Sequence, residues 1–257
     1  MSVDFSVENR VARVTLNRPE RMNAVDAATE QELEAIWHEI EMRDDISCVV
    51  LTGAGEKAFC TGADMKGVSK TGLEYWAENR GNGFGGLAFR RSLDVPVIAR
   101  VNGYALGGGF ELVLGCDIVI AAETAKFALP EARVGRMPLD GGMVLLQRKI
   151  PHNQAMAVML TGRHFNATEM MGFGLVNEVV AMADLDAAVE GWVADILSCA
   201  PLSLKAIKQT VNRTGHLGPA EAQALRTPAL LRALQSEDAE EGVTAFREKR
   251  QPVWQGR

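Results

Sequence analysis

The sequence predicts an α/β fold, with a core of alternating strands and helices followed by a helical C-terminal region. Short β-branched apolar runs alternate with stretches of helical periodicity up to about residue 180. Beyond that point the periodicity is almost wholly helical. A chain of 257 residues, 47% hydrophobic and 23% charged, is also long and apolar enough to bury a sizeable core.

Each element has its own reason. Val11 to Leu16 is β-branched and suits an early strand, broken by Asn17-Arg-Pro. From Ala28 to Arg43, the side chains of Leu33, Ile36, Trp37 and Ile40 fall at helical spacing. Cys48-Val-Val-Leu-Thr, ended by Gly53, reads as a buried strand. Residues 66–90 contain the glycine-rich run Gly81-Asn-Gly-Phe-Gly-Gly and read as a mobile loop region that gates a substrate. Val97 to Val101 follows Pro96 and stops at Asn102-Gly103, as a strand does. Asp117 to Ala122 and Leu175 to Val180 are two more. Leu185 to Leu197, Leu202 to Asn212 and Ala220 to Lys249 read as helices. The expected division is a core over 1–195 and a helical region over 196–257, packed on that core or on a neighbouring subunit.

Composition excludes several function classes. The net charge is −6 and no basic tract is present, so nucleic acid is a poor partner. Cys48, Cys60, Cys116 and Cys199 form no Cys-x-x-Cys pair, and His38, His152, His164 and His216 show no ligand spacing. No metal site is therefore expected, and the thiols read as reduced, in a cytoplasmic protein. The first ten residues lack the basic start and apolar run of a signal peptide. The longest apolar stretch, Ala105 to Ala122, contains Glu111 and Asp117 and reads as buried core, not as a membrane span.

Two common catalytic signatures fail. Gly53-Ala-Gly55-Glu-Lys-Ala58 fits a dinucleotide fingerprint, but the residues after it have no helical periodicity. No Gly-x-Ser-x-Gly elbow occurs. The informative segment is Asn102-Gly-Tyr-Ala-Leu-Gly-Gly-Gly-Phe-Glu111-Leu-Val-Leu. A strand ends, three glycines follow and an apolar helix begins. The first N–H groups of a helix lack internal partners and carry the positive end of its dipole, so such a turn can hold a developing oxyanion. Glu111 lies one turn into a helix that is otherwise apolar, where a carboxyl must be paired, neutral or functional. Glu131 and Asp140 are further candidates, since two carboxyls facing one pocket can share acid and base work. Phe59-Cys-Thr-Gly62-Ala63-Asp64 could supply a second backbone N–H to the same oxyanion.

These residues resemble the crotonase (enoyl-CoA hydratase/isomerase) family along nearly the whole chain. The blocks run from Leu16-Asn-Arg-Pro, Met22-Asn-Ala and Val50-Leu-Thr-Gly through Phe59-Cys-Thr-Gly-Ala-Asp and Val101-Asn-Gly-Tyr-Ala-Leu-Gly-Gly-Gly-Phe-Glu-Leu. Pro130-Glu, Leu160-Thr-Gly-Arg, Gly174-Leu-Val-Asn and Ser236-Glu-Asp-Ala continue the match. The resemblance implies a crotonase-like ββα spiral core with a C-terminal helical region, assembled as a homotrimer or homohexamer. It implies an acyl-CoA substrate, with coenzyme A part of the substrate and no separate cofactor or metal. By the same resemblance Ala63 and Gly108 form the oxyanion hole, and Met22, Ala24, Ala58 and Asp64 contact substrate. Glu111 would orient and activate water, and Glu131 would exchange a proton at the α-carbon, which makes a hydratase/dehydratase. An isomerase using one carboxyl, or a non-catalytic acyl-CoA binder, are the alternatives.

Within the family, Phe127-Ala-Leu-Pro-Glu-Ala and Pro252-Val-Trp-Gln-Gly-Arg are most similar to members whose acyl group carries a trimethylammonium. Tyr75, Trp76, Phe84 and Asp140 are candidates to face such a cation. In those members the loop acid is expected directly after the proline. Here Leu139 follows Pro138, and Asp140 comes next.

Overall fold

The computed structural model describes residues 1–64, 71–78 and 81–257. It begins with a hairpin of which the sequence reading had only the second strand. β1 (Val3–Glu8) pairs antiparallel with β2 (Val11–Leu16). Asn9 and Arg10 turn the corner, both at positive φ, which is the backbone a two-residue hairpin loop demands.

Helix α1 (Ala27–Met42) starts at Asp26, whose carboxylate accepts from the Thr29 N–H, and buries Leu33, Trp37 and Ile40. β3 (Cys48–Gly53) and β4 (Ala58–Cys60) follow, so the residues after Gly53 form a strand and the dinucleotide pattern has no helix behind it. Then come α2 (Gly72–Ala77), β5 (Val97–Val101), β6 (Tyr104–Leu106), α3 (Gly108–Gly115), β7 (Ile118–Ala122) and β8 (Lys126–Ala128). α4 (Gly142–Lys149), α5 (His152–Thr161), β9 (Phe165–Asn166), α6 (Ala167–Gly172) and β10 (Glu178–Val180) close the core. The C-terminal helices are α7 (Leu185–Leu197), α8 (Pro201–Thr214), α9 (Pro219–Ala224), α10 (Pro228–Leu234) and α11 (Glu237–Glu248).

Successive strands go to two different sheets. The larger has the order β1-β2-β3-β5-β7-β10 and is parallel from β2 onward; the smaller has the order β4-β6-β8-β9. The pairs β3–β4, β5–β6 and β7–β8 each give one strand to each sheet, which is the ββα spiral.

The alternation of side chains along β3, β5 and β7 divides the core in two. Val49, Leu51, Val97, Ala99, Val119 and Ala121 point toward the smaller sheet and α1. Cys48, Val50, Ile98 and Ile120 point the other way, onto Leu185, Val189, Val193 and Ile196 of α7. Strands covered on both faces have no polar side, which is why the sequence shows them as unbroken apolar runs.

Three sequence expectations change. The strand read over 175–180 shrinks to β10, and the long helix read over 220–249 is three helices, each beginning at a proline or a serine cap. The loop region expected over 66–90 contains α2 and a buried glycine segment, while residues 66–70, 79 and 80 lie outside the described residues. Phe84 to Ala88 are buried, with the Gly85 carbonyl accepting from the Trp37 indole at 2.7 Å and Arg90 paired to Glu41 and Glu34. Gly85 is at positive φ, and a β-carbon there would sit 2.8 Å from Leu112. These glycines let the backbone pack against the core.

Among the described residues no single helix is long and apolar enough to cross a membrane. Met182–Leu197 with Pro201–Thr214 reaches that length only as a pair bent by 99°, and α7 spends its apolar face on the larger sheet.

Candidate active site

The three glycines after β6 fix where two carboxyls and one helix terminus meet. Gly107 is the cap of α3, at φ 55, and its carbonyl accepts from the N–H groups of Phe110 and Glu111. A β-carbon at Gly107 would lie 2.9 Å from Glu131 Oε1, and one at Gly109 would lie 2.0 Å from the Cys60 carbonyl oxygen. The edge of the Phe84 ring closes on the Gly108 α-carbon, with a hypothetical β-carbon 2.5 Å away. Only glycine allows α3 to start this close to β4, to Phe84 and to Glu131.

Glu111 is buried, and its Oε1 accepts from the Gly142 N–H at 2.8 Å. Burial pushes its carboxyl up to about 8. The Gly142 N–H and, more weakly, the Asp140 N–H act against that rise, while the negative charges of Asp140 and Glu131 add to it. Glu131 opens a short 3-10 turn (Glu131–Val134) after Pro130. Burial raises its carboxyl as well, and its Oε2 is buried with no hydrogen-bond partner. Two neighbouring carboxyls with raised proton affinity suit acid and base work on one substrate.

The oxyanion candidates come together through strand geometry. The Val25 N–H donates to the Gly62 carbonyl at 2.9 Å, and the Asp64 N–H donates to the Val25 carbonyl at 2.9 Å. Alternation along a strand then turns the N–H of Ala63 away from Val25. Gly62, at φ +88, packs against the Gly108 amide, 3.1 Å from a hypothetical β-carbon. Gly108 is the first residue of α3, so its N–H has no helical acceptor. The structure therefore brings Ala63, Gly108, Glu111 and Glu131 into one neighbourhood.

The other expected contacts divide. Met22, Ala24 and Asp64 line one loop edge, held by a residue that sequence reasoning passed over. Arg18 donates to the Ala24 carbonyl at 2.6 Å and pairs with Asp64 and Asp26, each at 3.0 Å. Asn23, also passed over, is buried and donates to the Ala54 and Ala58 carbonyls. Ala58 is buried inside β4, and its carbonyl also accepts from Asn102. Asp140 is buried despite its one-residue displacement, and its carboxylate accepts from the Tyr75 hydroxyl. Trp76 is 66% exposed and Phe84 packs on Gly108. A cavity of about 330 Å³ lies beside α1, lined by Glu30, Glu34, Asn82 and Gly83, and neither catalytic candidate forms its wall.

Comparisons with known proteins point to one family. Residues 6–257 match the family described as enoyl-CoA hydratase/isomerase. The carnitinyl-CoA dehydratase of Proteus mirabilis (strain HI4320) is 38% identical over 262 residues, covering 100% of this chain and 99% of that protein. The carnitinyl-CoA dehydratase of Escherichia coli (strain K12) is equally similar, with the same coverage. Among solved structures, an enoyl-CoA hydratase from Bacillus anthracis superposes with a TM-score of 0.92 at 32% identity, covering 100% of both chains. An enoyl-CoA hydratase from Mycobacterium tuberculosis H37Rv gives 0.88 at 32% identity, covering 100% of this chain and 99% of that one.

Proposed function

We propose that this chain, which belongs to the enoyl-CoA hydratase/isomerase family, adds water reversibly across the α,β double bond of an enoyl-CoA thioester. The observation that carries the reading is the pair of carboxyls, the buried Glu111 and the half-buried Glu131, flanking the glycine turn at the start of α3.

The thioester oxygen accepts from the N–H groups of Ala63 and Gly108. As water adds, charge moves from the double bond onto that oxygen. Two N–H donors and a helix N-terminus stabilise the charge more in the transition state than in the ground state. Glu111, oriented by the Gly142 N–H, takes a proton from water, and the hydroxyl oxygen bonds to the β-carbon. Glu131 gives its proton to the α-carbon, and the enolate oxygen returns to a carbonyl. The dehydration runs through the same steps reversed. Met22, Ala24 and Asp64 form the edge along which the coenzyme A portion lies. The expected division into 1–195 and 196–257 gives the helical region to subunit contacts and to the acyl-CoA pocket. The assembly is a trimer or a pair of trimers, in the cytoplasm.

The finer substrate reading is crotonobetainyl-CoA and carnitinyl-CoA. The carnitinyl-CoA dehydratases at 38% identity support it. So does a third carboxylate, the buried Asp140, close enough to Glu111 to act on its proton. Anionic side chains around the acyl pocket suit a trimethylammonium group better than an uncharged chain.

The test compares crotonyl-CoA with crotonobetainyl-CoA, following loss of the conjugated thioester absorbance. Hydration of crotonobetainyl-CoA with a kcat/KM at least tenfold above that for crotonyl-CoA supports the finer reading. Equal rates leave a general short-chain hydratase. Silence on both, with the CoA esters still bound, contradicts the hydratase.

A further inference from the structure

Asp140 is held from two sides by two different parts of the chain. Its backbone N–H and that of Gly142 act on the Glu111 carboxyl. Its carboxylate accepts from the hydroxyl of Tyr75, 65 residues away in sequence. The Asp140 carbonyl faces the Gly83 α-carbon, 3.1 Å from a hypothetical β-carbon. The turn Pro138-Leu-Asp-Gly-Gly142 is thus clamped between the glycine segment and α2.

Helix α2 carries Tyr75. It is six residues long, with a capping box between Thr71 and Glu74 but no buried residue, and Leu73 and Trp76 are 73% and 66% exposed. A helix this short does not persist in water on its own. The Tyr75 hydroxyl links this short helix to the turn that cradles a buried carboxyl.

We propose that Tyr75 is a positioning residue for Glu111, acting through Asp140: its hydroxyl fixes the carboxylate and peptide of Asp140, and so sets the proton affinity of Glu111. The effect has two parts of the same sign. The phenol dipole points at the Asp140 carboxylate and weakens its field at Glu111. It also fixes the turn so that the Asp140 and Gly142 N–H groups face Glu111. Among the described residues Glu131 also acts on Glu111, from the turn after β8. The inference deepens the hydratase reading, because it assigns what tunes one of its two carboxyls.

The test is the titration of Glu111 by carbon NMR in the ligand-free full chain, with the signal assigned by its loss in E111Q. Four proteins are compared: wild type, Y75F, D140N and the double variant. Removing the hydroxyl is expected to raise the Glu111 midpoint by about half a pH unit or more. Removing the Asp140 charge is expected to lower it by a similar amount. In the D140N background, Y75F is expected to move it by less than a third of its effect alone. An unchanged midpoint in Y75F, or the same shift with and without Asp140, overturns the proposal. Melting curves of the four proteins show whether any shift comes from loss of fold. The titration uses no substrate, so its failure is distinct from failure of the hydratase reading, which only the turnover assay reports.

Discussion

Glu131 Oε1 packs against the α-carbon of Gly107, the residue from which α3 begins, at the position a β-carbon would approach to 2.9 Å. This contact places a carboxyl whose proton affinity is raised by burial beside the free N–H groups of a helix terminus, where the oxygen and the α-carbon of one thioester can be reached together.

Gly107→Ala tests that contact. The new methyl meets Glu131 Oε1 at a backbone φ of +55, so the turn is strained and the carboxyl is displaced. The expected result is a fall in kcat of about 10²-fold with a loss of about 1–2 kcal/mol in stability. Gly109→Ala meets the Cys60 carbonyl at 2.0 Å and should cost roughly 3 kcal/mol or more, read as a fall in melting temperature.

Glu131→Gln keeps the shape and removes the transferable proton. Exchange at the α-carbon and hydration should fall by about 10³-fold or more, with CoA-ester affinity changed less than about threefold. Exchange of solvent deuterium into a saturated acyl-CoA measures the first, and calorimetric titration the second.

Glu111 predicts a pH dependence in two observables. It must be ionised to take a proton from water while Glu131 must carry one, so kcat/KM for hydration should be bell-shaped with pH, one limb lying near 8. Its carboxyl stands above the ordinary 4.5, so the native state binds this proton more tightly than the unfolded chain. Stability is therefore lost as pH rises from about 4.5 to about 8, and the cost is complete above that. Glu111→Gln should stabilise the fold by about 2–4 kcal/mol at pH 9 and by almost nothing at pH 4, while reducing hydration. Chemical denaturation at the two pH values checks it.

The sequence was most legible where chemistry and backbone coincide. The glycines at 107–109 and the polar Glu111 inside an apolar helix marked the site before any fold was known, because apolar periodicity makes such an exception visible. The strands β3, β5 and β7 were legible because burial on both faces leaves runs of β-branched residues. The short strands of the smaller sheet were not, since two or three residues carry no period. Nor was the pairing of Tyr75 with Asp140, which depends on how α2 lies over the turn before α4. Arg18 and Asn23 were hidden for the opposite reason: their work is to hold loops, and polar side chains that satisfy backbone carbonyls look like ordinary surface residues in a sequence.

The most direct measurement of the central claim is hydration in H₂¹⁸O by wild type, Glu111→Gln and Glu131→Gln, with mass analysis of the product thioester. With crotonyl-CoA and crotonobetainyl-CoA as substrates, the account predicts loss of conjugation with one ¹⁸O at the β-carbon for wild type, and a fall of about 10³-fold in each variant. Wild-type rates in either variant, or a product that has gained no oxygen, would contradict it.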